Sequence, residues 1–164
     1  MASIYRAREE RFGRYFDEYG VGDVFHHWPG KTVTEAEDHM FCLMTLAASP
    51  IHIDRNYGAS EMEYGQNIVV GTFIYSLLLG MSVPDISGRA IANLGLSELR
   101  HIAPLFHGDT LYGSSEVVAM RPSESRPRAG ILTVRTDGFN QDELKVCTFT
   151  RSVLLPTRPE KAND

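Results

Sequence analysis

The run IVVGTFIYSLLLGMSV, residues 68 to 83, is the most apolar stretch of the chain. Its apolar side chains fall on every face of a 3.6-residue helix instead of along one stripe, the pattern of a helix packed against protein all round. It is shorter than the ~20 residues that cross a bilayer, and it carries Tyr75 and Ser76, so no membrane span is expected. The stretch predicts a buried central helix, stopped by Pro84.

The fold follows from what surrounds that helix. From residue 90 onward AIANLGLSELRHI, DTLYGSSEVVAM, AGILTVRTDGF and LKVCTFTRSVLL are β-rich runs separated by APLFHG, RPSESRPR and NQDE. They read as four strands, mostly antiparallel neighbours. Before the helix, DVFHHWPGKTVT reads as a short strand and turn. TEAEDHMFCLMTLAA opens with Thr34 at an N-cap and Glu37 three residues on, a capping box that predicts a helix from 35 to about 47, ended by Pro50. Asp54 is placed to cap a further short helix over RNYGASEM. The order predicts an α+β layer architecture, an antiparallel sheet wrapped round one long central helix. We expect an arm at 1–17, a folded domain at 18–155 and a frayed tail at 156–164. A curved sheet leaves an edge strand unpaired, and pairing with a second copy covers it, so a homodimer or dimer-based oligomer is expected.

Composition narrows the function. The 164 residues suit one domain, and a formal net charge of −5 gives no basic stripe for a nucleic acid. Cys42 and Cys147 are too far apart in sequence for a zinc-ligand spacing and read as two reduced thiols. His26 and His27 point to opposite faces of a strand, and His39, His101 and His107 have no partner at ligand spacing, so no metal is predicted. The N-terminus MASIYRAREERFGRYF lacks the apolar core of a signal peptide, which predicts a cytoplasmic protein.

Two stretches carry a resemblance. SPIHIDRNYG, residues 49 to 58, resembles the N-P-I-H-x-D/E-x-x-Y-A segment of MaoC-like (R)-specific enoyl-CoA hydratases. HIAPLFHGDTL, residues 101 to 111, resembles their F-x-x-P-V-x-x-G-D-T-L segment. The two stand in the family's order with the apolar helix between them. SESRPRAGILTVRTDGFNQD further resembles the mesaconyl-CoA, β-methylmalyl-CoA and itaconyl-CoA hydratase subset. The resemblance implies a hot-dog fold, a dimer with sites at the subunit boundary, and water addition to a short-chain enoyl-CoA with a branched C5 dicarboxylic acyl group. It implies no cofactor beyond the CoA that the substrate carries. The chain departs from the family pattern at the catalytic segment, where Ser49 takes the position of the family's asparagine. Where the family places a catalytic aspartate five positions before the histidine, this chain has Ala47.

Hydrating an α,β-unsaturated thioester needs a base for water at C3, an acid for C2 and a donor for the developing enolate oxygen. An imidazole can serve as both base and acid near neutral pH, which makes His52 the leading candidate, with a backbone-bonded turn histidine as the alternative. Ser49 could orient the water through its hydroxyl. Gly71, near the start of the central helix, could offer a free amide to the thioester oxygen, or could serve only close packing. Asn67 and Thr72 could line the same region. Asp54 and Asp109 read mainly as a cap and a turn residue. Arg126 and Arg128 could meet CoA phosphates or a substrate carboxylate, or could sit in a solvated loop. Arg100 reads mainly as a strand surface residue.

Two rival functions stand beside the hydratase. One is an acyl-CoA thioesterase on the same fold, which would need a carboxylate that the central helix lacks. The other is a catalytically weakened subunit that only binds acyl-CoA, supported by the loss at Ala47.

Overall fold

A computed structural model describes residues 12–159. Five strands, β1 (Val24–Thr32), β2 (Ala92–His101), β3 (Thr110–Pro122), β4 (Ala129–Phe139) and β5 (Lys145–Pro156), form one antiparallel sheet in the order β1-β3-β4-β5-β2. Four helices accompany them: α1 (Glu35–Thr45), α2 (Pro50–Ile53), α3 (Arg55–Glu61) and α4 (Gly71–Met81). The sheet curves round α4, the hot-dog arrangement expected from the sequence.

Local chemistry sets the element ends. Thr34 accepts the Glu37 amide while Glu37 returns a bond to the Thr34 amide, the reciprocal cap read from sequence. The Lys31 ammonium and the Thr34 hydroxyl and amide around Glu37 lower its carboxyl to about 2. Helix α1 ends earlier than Pro50: Leu46 adopts φ 60° and closes it, and Pro50 instead opens α2, where a missing amide costs nothing. Asp54 caps α3 as expected, its Oδ1 accepting from Asn56 and Tyr57. Pro84 does not end α4 either. The helix closes at Met81, and Pro84 lies in the following π-turn, Val83–Ser87.

Helix α4 sits on the sheet where two glycines make room. A Cβ on Gly138 would lie 2.6 Å from Leu78 Cδ1, and one on Gly113 would lie 3.1 Å from Leu78 Cδ2. Leu78 is thereby fully buried with Val33, Leu105, Leu111 and Phe149, while a second cluster gathers Ile86, Val117, Leu132, Val134 and Leu155. The expectation of a helix enclosed on every face needs correction: Thr72, Ser76 and Gly80 form an exposed strip one turn apart.

The described parts of the arm and of the tail expected to fray are tied to the domain. Among residues 12–17, Gly13 donates to the Pro84 carbonyl at 2.7 Å and the Phe16 ring fills the space above Gly130. Thr157 and Arg158 are tied to the Arg128 carbonyl and to Asp17. The rest of the arm and tail, residues 1–11 and 160–164, lies outside the described residues.

Candidate active site

One cavity of about 320 Å³ joins the two sequence stretches singled out above. His52 comes from α2, Tyr64 and Ile68 from the segment that follows α3, Gly71 and Ile74 from α4, and His101 to Leu105 from the end of β2 and the loop beyond it. No carboxylate lines it among the described residues.

Among the described residues the His52 ring makes one hydrogen bond, Nδ1 at 2.8 Å from the Ile68 carbonyl. A carbonyl only accepts, so Nδ1 carries the proton and donates. That contact fixes the tautomer: Nε2 of the neutral ring keeps a free lone pair, and it has no protein partner among the described residues. The turn bearing His52 is fixed from beneath by Asn67, whose Nδ2 donates to the carbonyls of Pro50, Ile51 and Asp54 at 3.0, 2.9 and 3.0 Å. Asn67 is thus a buried staple facing backbone, not a lining residue of the His52 cavity.

Gly71 opens α4. Its amide and that of Thr72 precede the first helical acceptor, and neither has a hydrogen bond among the described residues. Both N–H groups stand at the positive end of an 11-residue helix, and of the two residues only Gly71 lines the cavity. The preceding Val70 amide is taken by the buried Asp38 carboxylate at 3.0 Å, and Asp38 also receives His107 Nε2 at 2.9 Å. Asp38 and His107 thereby fix the path of the chain into α4.

Other expectations separate from the cavity. Ser49 is exposed; its carbonyl accepts the His52 amide at 3.0 Å, while its hydroxyl makes no cap bond and does not line the pocket. The Thr72 side chain is exposed and its carbonyl takes Ser76. Arg126 and Arg128 lie in the β3–β4 hairpin, where the Arg126 amide donates to Ser123 and Arg128 adopts φ 58°. Residue His101 is in line with Cys147, Gly138 and Gly113 across the sheet, whereas the hairpin leaves β3 at Pro122. Nine residues of strand, roughly 30 Å at the usual rise, divide the two levels within one chain. Arg100 lies with Glu98 and Arg135 in a separate surface depression, the strand-surface position expected of it. Asp109 closes its turn by accepting the Phe106 amide at 2.9 Å.

Elsewhere, His27 bridges Asp85 Oδ2 (2.7 Å, through Nδ1) and Ser115 Oγ (2.8 Å, through Nε2). The connectivity imitates an acid–base relay, but Ser115 is wholly buried and bonded to Thr136, so no substrate can reach it. Burial holds the His27 imidazole below its ordinary value, against the opposing pull of Asp85.

Two features of the site lay beyond the sequence reading: the Asp38–His107 pair, and the presence of His101 in the same cavity as His52. A usable signal existed for the second. His101 is two residues beyond Leu99, which packs on the core, so strand alternation puts both on the same face of β2.

A family model described as mesaconyl-CoA hydratase matches residues 1–164. The mesaconyl-CoA hydratase of Cereibacter sphaeroides is 31% identical over 150 residues, which cover 92% of this chain and 43% of the relative. The chain therefore spans less than half the length of that curated relative. Among solved structures, the MaoC-like dehydratase from Rhodospirillum rubrum superposes with a TM-score of 0.78 at 27% identity, covering 90% of this chain and all of the other. A Mycobacterium tuberculosis protein with a double hot-dog fold gives a TM-score of 0.73 at 25% identity, with 93% of this chain laid on 47% of that one. No helix among the described residues is long and apolar enough to cross a membrane. With its fold, its two motifs and the full-length family match in agreement, the chain belongs to the mesaconyl-CoA hydratase family of MaoC-like hot-dog proteins.

Proposed function

We propose that the chain is a hydro-lyase that adds water to, and removes it from, a short-chain enoyl-CoA thioester, with a branched C5 dicarboxylic acyl group of the mesaconyl-CoA or itaconyl-CoA type preferred. The observation that carries this is the Nδ1–H bond of His52 to the Ile68 carbonyl, which leaves Nε2 as a free base in a cavity that Gly71, with its free amide, also lines. In the forward direction the water oxygen bonds to C3 while His52 Nε2 takes its proton. The C2=C3 electron pair moves to C1–C2, and the C1=O pair moves onto the thioester oxygen, facing the Gly71 amide. The enolate then collapses, C2 takes the proton back from His52, and the ring returns to its starting tautomer. The net change is one water added, with no cofactor beyond the substrate's CoA.

The working unit is proposed as a cytoplasmic homodimer. The chain matches about half of a double hot-dog protein, and strand β2 ends the sheet with its outer edge unpaired among the described residues. A second copy supplies the missing half and covers that edge. The thioesterase reading is weaker because no carboxylate among the described residues lines the cavity to drive water at the carbonyl carbon.

The test is loss of enoyl-thioester absorbance with mesaconyl-, itaconyl- and crotonyl-CoA, for the parent and His52→Ala. Turnover that falls by about 100-fold or more in His52→Ala is expected for removal of the acid–base group. No turnover by the parent on any of the three, or release of free CoA in its place, defeats the reading.

A further inference from the structure

Gly71 has no side chain, and what occupies the space is His101. A Cβ built on Gly71 would lie 2.6 Å from both Cε1 and Nε2 of the His101 ring and 3.0 Å from Cδ2. The far edge of the imidazole thus rests against the first residue of α4, beside the free Gly71 and Thr72 amides. His101 is the last residue of β2, anchored through its strand partner Cys147, and the next residue, Ile102, donates to the Val146 carbonyl at 2.9 Å. Its ring makes no hydrogen bond among the described residues, and it lines the same cavity as His52.

We propose that His101 is a second catalytic residue of this site, donating a hydrogen bond from Nε2 to the thioester oxygen alongside the Gly71 amide. The proposal rests on the hydratase reading above. It assigns Gly71 a different reason for being glycine: the missing Cβ seats an imidazole, which brings a side-chain donor to the helix N-terminus. One backbone amide is a thin stabiliser for a full enolate charge, and a second donor beside it adds to the field where the charge appears. His101 keeps its proton throughout. His52 alone takes and returns the transferred proton, so the electron and proton balance of the reaction is unchanged.

A competing role for the same ring is recognition of the substrate's distal carboxylate, and kinetics separate the two. An oxyanion donor acts in the transition state, so its loss lowers kcat and leaves KM nearly unchanged. A carboxylate reader acts in the ground state and raises KM for dicarboxylic substrates only. The experiment measures kcat and KM for His101→Ala and His101→Gln on mesaconyl-CoA and crotonyl-CoA, with urea unfolding midpoints to confirm folding. The expected result is a kcat lowered about 100-fold in His101→Ala on every substrate the parent hydrates, with His101→Gln, which keeps a donor, recovering at least about tenfold of that loss. A His101→Ala enzyme within about threefold of the parent kcat, where His52→Ala is inactive, overturns the proposal and leaves the hydratase reading standing. A loss confined to KM on mesaconyl-CoA also overturns it, as does a His101→Gln variant that recovers nothing. A parent inactive on all the enoyl-CoAs removes the hydratase reading and this inference together. If His101→Ala fails to fold, the His101→Gln result decides.

Discussion

The buried carboxylate of Asp38 accepts the backbone N–H of Val70 at 3.0 Å, across 32 positions of sequence. Val70 is the N-cap of α4, so the bond from α1 sets where the free amide of Gly71 points. Asp38→Ala leaves that buried amide and the His107 ring without an acceptor. The expected loss of unfolding free energy is about 1–3 kcal/mol, the cost of an orphaned buried donor, together with a lower kcat. Asp38→Asn, whose carbonyl oxygen still accepts from Val70, is expected to lose less. Urea unfolding and enoyl-CoA turnover on the two variants check the order; equal stability of Asp38→Ala and the parent contradicts it.

Asn67 gives a second lever on the site without touching the cavity. Its amide nitrogen faces three carbonyls within 3.0 Å, a geometry only a donor can satisfy. In Asn67→Asp an acceptor oxygen replaces that donor and confronts the three carbonyls, so the variant is expected to be less stable than Asn67→Ala despite its closer shape. A loss of about 1–3 kcal/mol is expected in Asn67→Ala, with His52 displaced and turnover reduced. Unfolding midpoints in the reverse order, Asp above Ala, would show that the staple does not hold α2.

Local signals were readable in the sequence because the causing residues are neighbours. Thr34 and Glu37 are three apart, Asp54 abuts the helix it caps, and the β-rich runs alternate along themselves. His52 was legible through its flanking residues and Gly71 through its place at the head of the apolar run. The boundaries set by Pro50 and Pro84 were misread because each proline belongs to the next element instead of terminating the one before. Asp38 with Val70, and His101 with Gly71, were illegible for a different reason. Each pair meets only when α4 is laid on the sheet, and nothing within a short window of sequence records that meeting. Ser49, the extended N-cap of α2, and Thr72, in the first turn of α4, are near the site in sequence, but both are exposed.

The contact of Leu78 with Gly138 predicts an overpacking defect. A Cβ at 2.6 Å from Leu78 Cδ1 cannot be accommodated without moving α4 or the leucine rotamer. Gly138→Ala is expected to cost about 1–3 kcal/mol, the usual range for one methyl group too many in a packed core. In the Leu78→Val background the added methyl finds room, so the double mutant is expected to be more stable than the sum of the two single losses. A double-mutant cycle by urea unfolding reads that coupling, and strict additivity would mean that the two groups do not meet.

Stability is also expected to depend on pH through His27. In the folded chain burial favours the neutral imidazole and holds its pKa below the ordinary value, although Asp85 pulls the other way. The unfolded chain releases the ring to its ordinary titration near ~6.5 and there binds more protons than the folded one. The contribution is therefore fully present above about pH 6.5 and is lost as the pH falls toward the lowered folded value. The carboxyl groups of Glu37 and Asp137, both held low in the folded state, lose their contributions only as pH falls below their ordinary values of 4.5 and 3.8, a separate and more acidic window. His27→Gln, which cannot titrate, is expected to be less stable than the parent near neutral pH because the Asp85 and Ser115 contacts are weakened. The gap should narrow between about pH 6.5 and pH 5, where only the parent is destabilised by proton uptake at this position. Urea midpoints for the two proteins across that range measure the narrowing, and a gap that stays constant would show that His27 does not titrate differently on folding.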